Sequence, residues 1–315
     1  MIPLDAIREA AERIRGKVHR TPLLSASQLG ERAGVRLFLK CESFQKTGSF
    51  KARGALNKVL SLSDAERGHG LVTVSAGNHA AAVAWAARMG GCSAVVVMPT
   101  AAPRSKIEAV HAYGAEIVFH PDRATLFDRL REVQEARGLT FVHPFDDAVV
   151  LAGAGTAGLE VTEDLPDVEA VVVPVGGGGL LGGVASAVKQ ARPLTRVVAV
   201  ELEAGPGLAP ALAAGQPVTV TRPETLADGM TPPFVGALPL AIAREAVDEI
   251  VTVTEDEIRE GMRLLATRAK LYVEGAGAAA TAALCAGKVA LPSGARVVAL
   301  VSGGNVDLED FGVRP

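Results

Sequence analysis

Seven short runs of apolar residues, most of them rich in valine, recur along this chain of 315 residues and limit its fold more than any other feature. Polar and apolar residues do not alternate within these runs, which is typical of strands buried on both faces of a parallel sheet. Helical stretches separate the runs, and this alternation predicts an α/β protein with mainly parallel sheets. The predicted strands are Leu71–Val74, Ala94–Met98, Glu116–Phe119, Ala170–Val175, Arg196–Val200, Glu249–Val253 and Arg296–Val301.

The helical stretches carry their own sequence signals. Thr254 and Glu257 form the pattern of a capping box at the start of a predicted helix, Asp256–Arg268. At the N-terminus, Ile7 and Ile14 stand among charged residues, which favours an amphipathic surface helix over a signal peptide. The other predicted helices are Ser49–Leu62, Asn78–Arg88, Arg104–Tyr113, Ala124–Arg137 and Leu180–Ala191.

Composition excludes several classes of protein. The net charge of −3 and the lack of basic runs argue against a nucleic-acid partner. The most apolar window, Val171–Val188, contains Pro174 and six glycines, so it predicts a buried strand and a loop and not a membrane span. Cys41, Cys92 and Cys285 are odd in number and far apart, which indicates thiols in a reducing compartment. We therefore expect a cytoplasmic protein without a membrane partner.

A run of four glycines, residues 176–179, follows the predicted strand that ends near Val175 and precedes a predicted helix. Backbone N–H groups without side chains and the start of a helix dipole together form a cradle for a phosphate-bearing ligand. Gly177, Gly179 and Gly182 also satisfy the dinucleotide pattern G-x-G-x-x-G, with Glu201 as the acid that would bind a ribose. Close packing of helix and strand without any ligand is the third interpretation.

Lys51 lies just after a turn, residues 47–49, at the predicted start of a helix. The helix dipole disfavours an ammonium group there and lowers its pKa, which helps an amine that must be neutral to attack an aldehyde. A solvated lysine in the first helical turn is the alternative.

Two further loops follow predicted strands. Residues 75–79, with the sequence SAGNH, open a helix after a strand and are suited to bind a carboxylate. Residues 302–305, SGGN, follow the last predicted strand. Because ligands collect at the carboxyl ends of strands in open α/β sheets, the three loops are expected to face one crevice.

These residues resemble the threonine dehydratase and serine racemase branch of the fold-type II pyridoxal-phosphate enzymes. The resemblance runs from about His19 to Asp307, and no dinucleotide-binding family combines its motifs, so it displaces the dinucleotide interpretation. It implies a tryptophan synthase β-like fold with two lobes, each with a mainly parallel sheet flanked by helices. The smaller lobe would comprise residues 70–146, and the larger lobe residues 1–69 and 147–315. The matching segments are CESFQKTGSFKARGA, SAGNHA, HPFDD, AGAGTAGLE, PVGGGGL, ADG, EGAGA and SGGN.

The resemblance also implies a role for individual residues toward pyridoxal 5′-phosphate. Lys51 is the Schiff-base lysine, Phe50 packs beside the cofactor ring, and Asn78 binds its phenolic oxygen. Ser302 faces the pyridine nitrogen, and Glu274 is a secondary candidate. The cofactor phosphate is assigned to Gly176, Gly177, Gly178 and Gly179, with Leu180 as a further cofactor-binding residue, and the substrate carboxylate to Ser75, Ala76, Gly77, Asn78 and His79.

The expected activity is elimination of the hydroxyl group of threonine, or of serine, which gives 2-oxobutanoate or pyruvate and ammonia. A hydroxyl at the pyridine nitrogen, unlike a carboxylate, does not favour a pyridinium, and loss of a β leaving group follows. Lys51 would remove the α-proton, and the cofactor phosphate is a candidate donor to the departing hydroxyl. A serine at the position of Ala76 marks the racemases, and Phe145 also fits the dehydratases.

Several alternatives and absences complete these expectations. A serine racemase or a β-replacement enzyme of the same family is the alternative function, and a nicotinamide-dependent oxidoreductase or a non-catalytic binding protein is more distant. The racemase cation site would use Glu201, but its second acid falls near Gly207, so we expect no metal there. Since the chain ends soon after residue 305, we expect no C-terminal regulatory domain. The family implies a homodimer or homotetramer.

Overall fold

The computed structural model describes residues 1–221 and 223–308, which form two mainly parallel sheets flanked by helices, as predicted. The strand order is β1-β2-β10-β7-β8-β9 in the larger sheet and β5-β4-β3-β6 in the smaller one. In chain order the strands β1 to β10 are Leu23–Ser25, Arg36–Cys41, Leu71–Val74, Ala94–Pro99, Glu116–His120, Thr140–Phe141, Ala170–Pro174, Arg196–Leu202, Glu249–Val253 and Arg296–Val301.

All seven predicted strands are present, and three further strands were not predicted from the sequence. Strand β1 is a three-residue edge strand, antiparallel to β2, and β6 has only two residues. Strand β2 contains Arg36 and Lys40, so its sequence does not form a continuous apolar run. Short strands and buried charges leave little signal in a pattern of apolar runs.

Every predicted helix is present, with ends shifted by a few residues. The capping box of Thr254 and Glu257 is confirmed at the start of α12, which continues as a π-helical turn, Leu265–Ala269. The longest helix, α8, has 17 residues, and no helix of the described residues is long and apolar enough to cross a membrane. Helices α1 to α13 are Leu4–Ile14, Ser27–Ala33, Lys51–Ser61, Asp64–Gly68, Asn78–Gly90, Arg104–Ala112, Leu126–Arg137, Ala148–Asp164, Gly179–Ala191, Leu208–Ala214, Ala237–Ala246, Glu255–Leu264 and Gly275–Cys285.

Hydrophobic side chains cover both faces of each sheet. On the larger sheet, one face packs against α2, α12 and α13, and the other against α1, α8, α9 and α11. On the smaller sheet, one face packs against α3 and α5, and the other against α7. Burial on both faces explains why the valine-rich strands lack polar alternation. It also leaves the carboxyl ends of the strands as the place where polar loops gather.

Candidate active site

The glycine loop and the loop that begins at Ser302 lie side by side, because strands β7 and β10 are parallel neighbours and both loops follow their carboxyl ends. The segment before α3 joins them. The N–H of Phe50 donates to the carbonyl of Ser302 at 3.0 Å, and Ser49 forms an isolated β-bridge with Gly303. The backbone thus places the lysine that follows Phe50 at this edge of the larger sheet.

The turn at residues 75–79 comes from the smaller sheet and reaches the same place. Asn78 begins α5, and its Nδ2 donates to Oε1 of Glu274 at 2.7 Å. From the other side, Nδ2 of Asn305 donates to Oδ1 of Asn78 at 2.8 Å. The structure therefore brings together the three loops that the sequence places at strand ends.

Lys51 is the first residue of α3 and is partly buried between these loops. Its Nζ donates to the carbonyl of Pro144 at 2.7 Å and lies 5.1 Å from the ring centre of Phe50. No carboxylate of the described residues pairs with it. Burial lowers the pKa of Lys51 from 10.5 to about 8. The lowering agrees with the sequence-based expectation, its cause is burial, and it makes a neutral amine accessible near physiological pH.

The glycine loop has the properties of an anion cradle. Gly178 adopts a left-handed conformation, with φ of 87°, immediately before α9. A side chain at Gly177 would overlap the ring of Phe145, so the loop can approach its neighbours only without one. The N–H groups of residues 177–180 donate to no carbonyl of the described residues. They are free to bind phosphate oxygens at a helix N-terminus.

The turn at residues 75–79 offers a second set of free donors. The Oγ of Ser75 accepts from the N–H of Gly77 at 3.1 Å. The N–H groups of Ala76, Asn78 and His79 have no acceptor among the described residues. Free N–H groups at the start of a helix suit a carboxylate.

The side chain of His79 is directed away from this set of donors. It is buried, and its Nε2 lies 3.2 Å from the carbonyl of Val142, which can only accept a hydrogen bond. Burial, together with the charge of Lys51, holds the pKa of His79 well below 6.5. The imidazole is therefore neutral, and its Nδ1 has no partner among the described residues.

Glu274 is more central to this site than its sequence suggests. It is buried, lies directly before α13, and contacts Asn78 although 196 residues separate the two. Burial raises the pKa of Glu274 to about 7, and the charge of Asp228 adds to the effect, while Lys106 opposes it. Only the EGAGA motif signalled this residue, because no spacing rule connects such distant positions.

Lys106 and Asp228 form an ion pair at the rim of the site that the sequence did not indicate. Lys106 comes from α6 beside the smaller sheet, and its side chain lies against Gly77. Asp228 belongs to the ADG motif, next to a residue whose carbonyl lies close to Gly176. The pair thus lies across the site, between the turn at residues 75–79 and the glycine loop at residues 176–179. A cavity of about 430 Å³ opens here, lined in part by Asn78, Lys106 and Asn305.

Glu201 lies outside this group of residues. Its carboxylate accepts hydrogen bonds from the first N–H groups of α10, those of Gly207, Leu208 and Ala209. It therefore caps a helix. No three His, Cys, Asp or Glu side chains of residues 1–221 and 223–308 form a group that could hold a metal ion.

The residues present fit pyridoxal phosphate. A partly buried amine, a loop of free N–H groups for the phosphate, and an asparagine amide lie at one edge of the larger sheet. The structure also leaves several buried polar atoms near them without partners, including the hydroxyls of Thr47 and Ser49 and the Oε2 of Glu274. Buried polar atoms without partners are uncommon in proteins and here indicate a ligand.

Comparisons with known proteins agree with this chemistry. The family model described as pyridoxal-phosphate dependent enzyme matches residues 14–303. The catabolic L-threonine dehydratase of Escherichia coli K12 is 45% identical over 309 residues, which cover 98% of this chain and 94% of that protein.

Among solved structures, the threonine deaminase of T.th. superimposes with a TM-score of 0.92 at 43% identity and covers 99% of this chain and 100% of its own. The serine racemase of maize superimposes with a TM-score of 0.94 at 38% identity, over 98% of this chain and 95% of that one. The family match covers most of the sequence and includes nearly all of the site's loops. This chain therefore belongs to the family of pyridoxal-phosphate dependent enzymes.

Proposed function

We propose that the protein is a dehydratase of small hydroxy amino acids that converts L-threonine into 2-oxobutanoate and ammonia, and serine more slowly into pyruvate. The partly buried amine of Lys51, unpaired with any carboxylate of the described residues, is the observation that carries this proposal. The water lost from the β-carbon is regained when the product is hydrolysed at the α-carbon, so threonine divides into 2-oxobutanoate and ammonia alone. The full-length similarity to threonine dehydratases supports the choice.

The site residues divide the work of holding the cofactor. Bound pyridoxal phosphate supplies an electron sink that stabilises negative charge on the α-carbon of an attached amino acid. Lys51 would hold its aldehyde carbon, and the N–H groups of residues 177–180 its phosphate. Phe50 would pack beside the ring, Ser302 would face the pyridine nitrogen, and Asn78 would donate to the phenolic oxygen.

Lys51 is also the group that moves the α-proton. Once its Nζ is free, a pKa near 8 leaves part of the amine neutral at physiological pH, and a neutral amine can accept a proton. Neither His79 nor His143 is suited to accept this proton, because a low pKa makes an imidazole a weak base. Burial lowers the pKa of His143 to about 4 and that of His79 well below 6.5. Lys51 is thus the base of the elimination.

The turn at residues 75–79 would orient the substrate. Its free N–H groups, those of Ala76, Asn78 and His79, are placed to bind the carboxylate of the amino acid. With the carboxylate held there and the amino group at the cofactor, the α-proton has a fixed direction.

A decisive test compares two lysine variants. Lys51→Ala is expected to lower the release of 2-oxobutanoate from L-threonine by at least about 10³-fold, because it removes both the attachment and the base. Lys46→Ala changes an exposed lysine five residues away and is expected to leave the rate unchanged. Both variants are assayed with excess pyridoxal phosphate. Equal activity of Lys51→Ala and the natural protein would refute the proposed function.

Serine racemase is the second candidate, favoured by the similarity to the maize enzyme. Racemisation needs a group that returns a proton to the face opposite Lys51. Ala76 occupies the position where the racemases carry a serine, and a methyl group cannot carry a proton. We therefore expect pyruvate to form from L-serine faster than D-serine, which chiral chromatography measures. Faster formation of D-serine would make the protein a racemase.

We further propose two lobes, residues 70–146 and residues 1–69 with 147–315; Arg222 and residues 309–315 lie outside the described part. The separate four-stranded sheet supports the smaller lobe, although α3 also packs against that sheet. A homodimer or homotetramer is proposed from the family, and light scattering would measure it. Cys41, Cys92 and Cys285 are free thiols, which supports a cytoplasmic location.

A further inference from the structure

A chain of hydrogen bonds leads from a backbone carbonyl to the buried carboxyl group of Glu274. Nδ2 of Asn305 donates to the carbonyl of Thr47 at 2.7 Å and to Oδ1 of Asn78 at 2.8 Å. A carbonyl oxygen can only accept, so the edge of the Asn305 amide that faces Thr47 must be its NH₂ group. The orientation of Asn305 is therefore fixed by the backbone, and both of its N–H groups are used.

This arrangement in turn fixes the orientation of Asn78. Because the donor of Asn305 requires an acceptor, Oδ1 of Asn78 faces Asn305, and its NH₂ group lies on the opposite edge. One N–H of that group donates to Oε1 of Glu274 at 2.7 Å. The other has no partner among the described residues, and Asn78 lines the cavity.

Glu274 is held in place as firmly as the amides. It is 3% exposed, and a side chain at Gly303 would overlap its Oε1, so the carboxyl group lies directly on the backbone next to Ser302. The charged groups that face it are Asp228 and Lys106. Since Oε1 must accept from Asn78, a proton on this carboxyl group can reside only on Oε2, which makes no hydrogen bond of good geometry, although the backbone N–H of Asn305 lies near the carboxyl group and helps to lower its pKa.

We propose that Glu274 is a positioning residue that acts through Asn78: it holds the amide of Asn78 so that a free N–H, and not the carbonyl, faces the bound cofactor. This inference rests on the proposed function, which places the phenolic oxygen of pyridoxal phosphate beside Asn78. That oxygen accepts hydrogen bonds. Without Glu274, only the hydrogen bond from Asn305 holds the amide of Asn78, so the amide is less firmly oriented and its free N–H is directed less often toward the phenolic oxygen.

The test uses three variants and two readouts besides activity: the affinity of the apoprotein for pyridoxal phosphate and the absorption maximum of the bound cofactor. Glu274→Ala and Asn305→Ala each remove one of the groups that hold Asn78. Both are expected to bind pyridoxal phosphate about 10-fold more weakly and to shift the absorption maximum. Glu274→Gln keeps a carbonyl that can accept from Asn78, and it is expected to stay within about 3-fold of the natural protein.

Glu201→Ala is the matched control, because Glu201 is also buried but binds only the N–H groups of a helix. It is expected to lower thermal stability without shifting the absorption maximum. If Glu274→Ala fails to fold, Asn305→Ala and Glu274→Gln still decide the question. Unchanged affinity and absorption in Asn305→Ala, or a 10-fold loss of affinity in Glu274→Gln, would overturn the proposal.

The pH dependence gives a readout that a purely structural role would not change. Because burial places the pKa of Glu274 near 7, the absorption of the bound cofactor is expected to titrate there in the natural protein and not in Glu274→Gln. A titration that persists in Glu274→Gln would contradict the proposal. If the natural protein releases no 2-oxobutanoate, the proposed function fails, while the affinities and spectra still test the role of Glu274.

Discussion

Lys51 and Arg53 are two basic residues only two positions apart on α3, yet their surroundings differ in kind. The guanidinium of Arg53 is fully buried and binds the carboxylates of Glu42 at 2.8 Å and Glu160 at 2.7 Å. Lys40 adds a second cation at 2.6 Å from Glu160. Two cations thus meet two carboxylates, and every charge of this cluster is compensated.

The environment of Lys51 has no such compensation. Its amine contacts a backbone carbonyl and an aromatic ring, and the polar atoms near it include several without partners. Burial alone would lower the pKa of Arg53, but Glu42 and Glu160 raise it, whereas nothing offsets the lowering at Lys51. A buried polar network whose charges are all paired thus serves the structure, whereas one with unpaired polar atoms marks a binding site.

The largest effect is expected when the compensated cluster around Arg53 is broken. Arg53→Met leaves Glu42 and Glu160 buried with one cation fewer, and it is expected to lower the free energy of unfolding by about 3–5 kcal/mol. Lys51→Met removes an uncompensated cation and is expected to leave the stability unchanged or slightly higher. Chemical unfolding of the cofactor-free variants compares the two. Equal losses of stability would remove the distinction between the regions.

A smaller effect concerns pH. The amine of Lys51 titrates near 10.5 when unfolded and near 8 when folded, so between these values the unfolded chain binds more protons. The free energy of unfolding of the cofactor-free protein is therefore expected to rise from pH 8 to 10.5, by on the order of 2 kcal/mol relative to Lys51→Met. The measurement is a series of unfolding curves across this range. Parallel profiles for the two proteins would show that the amine is not desolvated.

The smallest expected effect tests the glycine loop. A methyl group at Gly177 would overlap the ring of Phe145, so Gly177→Ala is expected to displace the loop and weaken pyridoxal phosphate binding about 10-fold. At Gly68 a methyl group would meet open space, and Gly68→Ala is the control expected to bind the cofactor normally. Fluorescence titration of the apoproteins measures both. Similar affinities would mean that the loop tolerates side chains and does not approach the phosphate closely.

The sequence predicted the parts of the fold that local patterns determine. Valine-rich runs located the strands buried on both faces, and the pattern of Thr254 and Glu257 located a helix start, because these signals lie within a few residues. Strand β2 was missed since its buried Lys40 reads as an exposed residue until Glu160, 120 positions away, is known to pair with it.

The same limit applies to the site. The residues of the glycine loop and the lysine segment are contiguous, so motifs indicated them. Glu274, Asn78 and Asn305 are joined only by the meeting of the two sheets, and the ion pair of Lys106 and Asp228 depends on the same encounter. Contacts of this kind leave no periodicity in the sequence, and only the folded chain shows which distant polar residues share one site.

Reductive labelling can show directly whether Lys51 carries the cofactor. The protein as isolated is treated with borohydride, which fixes pyridoxal phosphate to the amine that holds it, and peptide mass spectrometry then identifies the modified lysine. We predict loss of the yellow colour and a label on Lys51 alone, although Lys46 and Lys58 lie nearby in the sequence. A label on another lysine, or a colourless protein that takes up no label in the presence of pyridoxal phosphate, would contradict it.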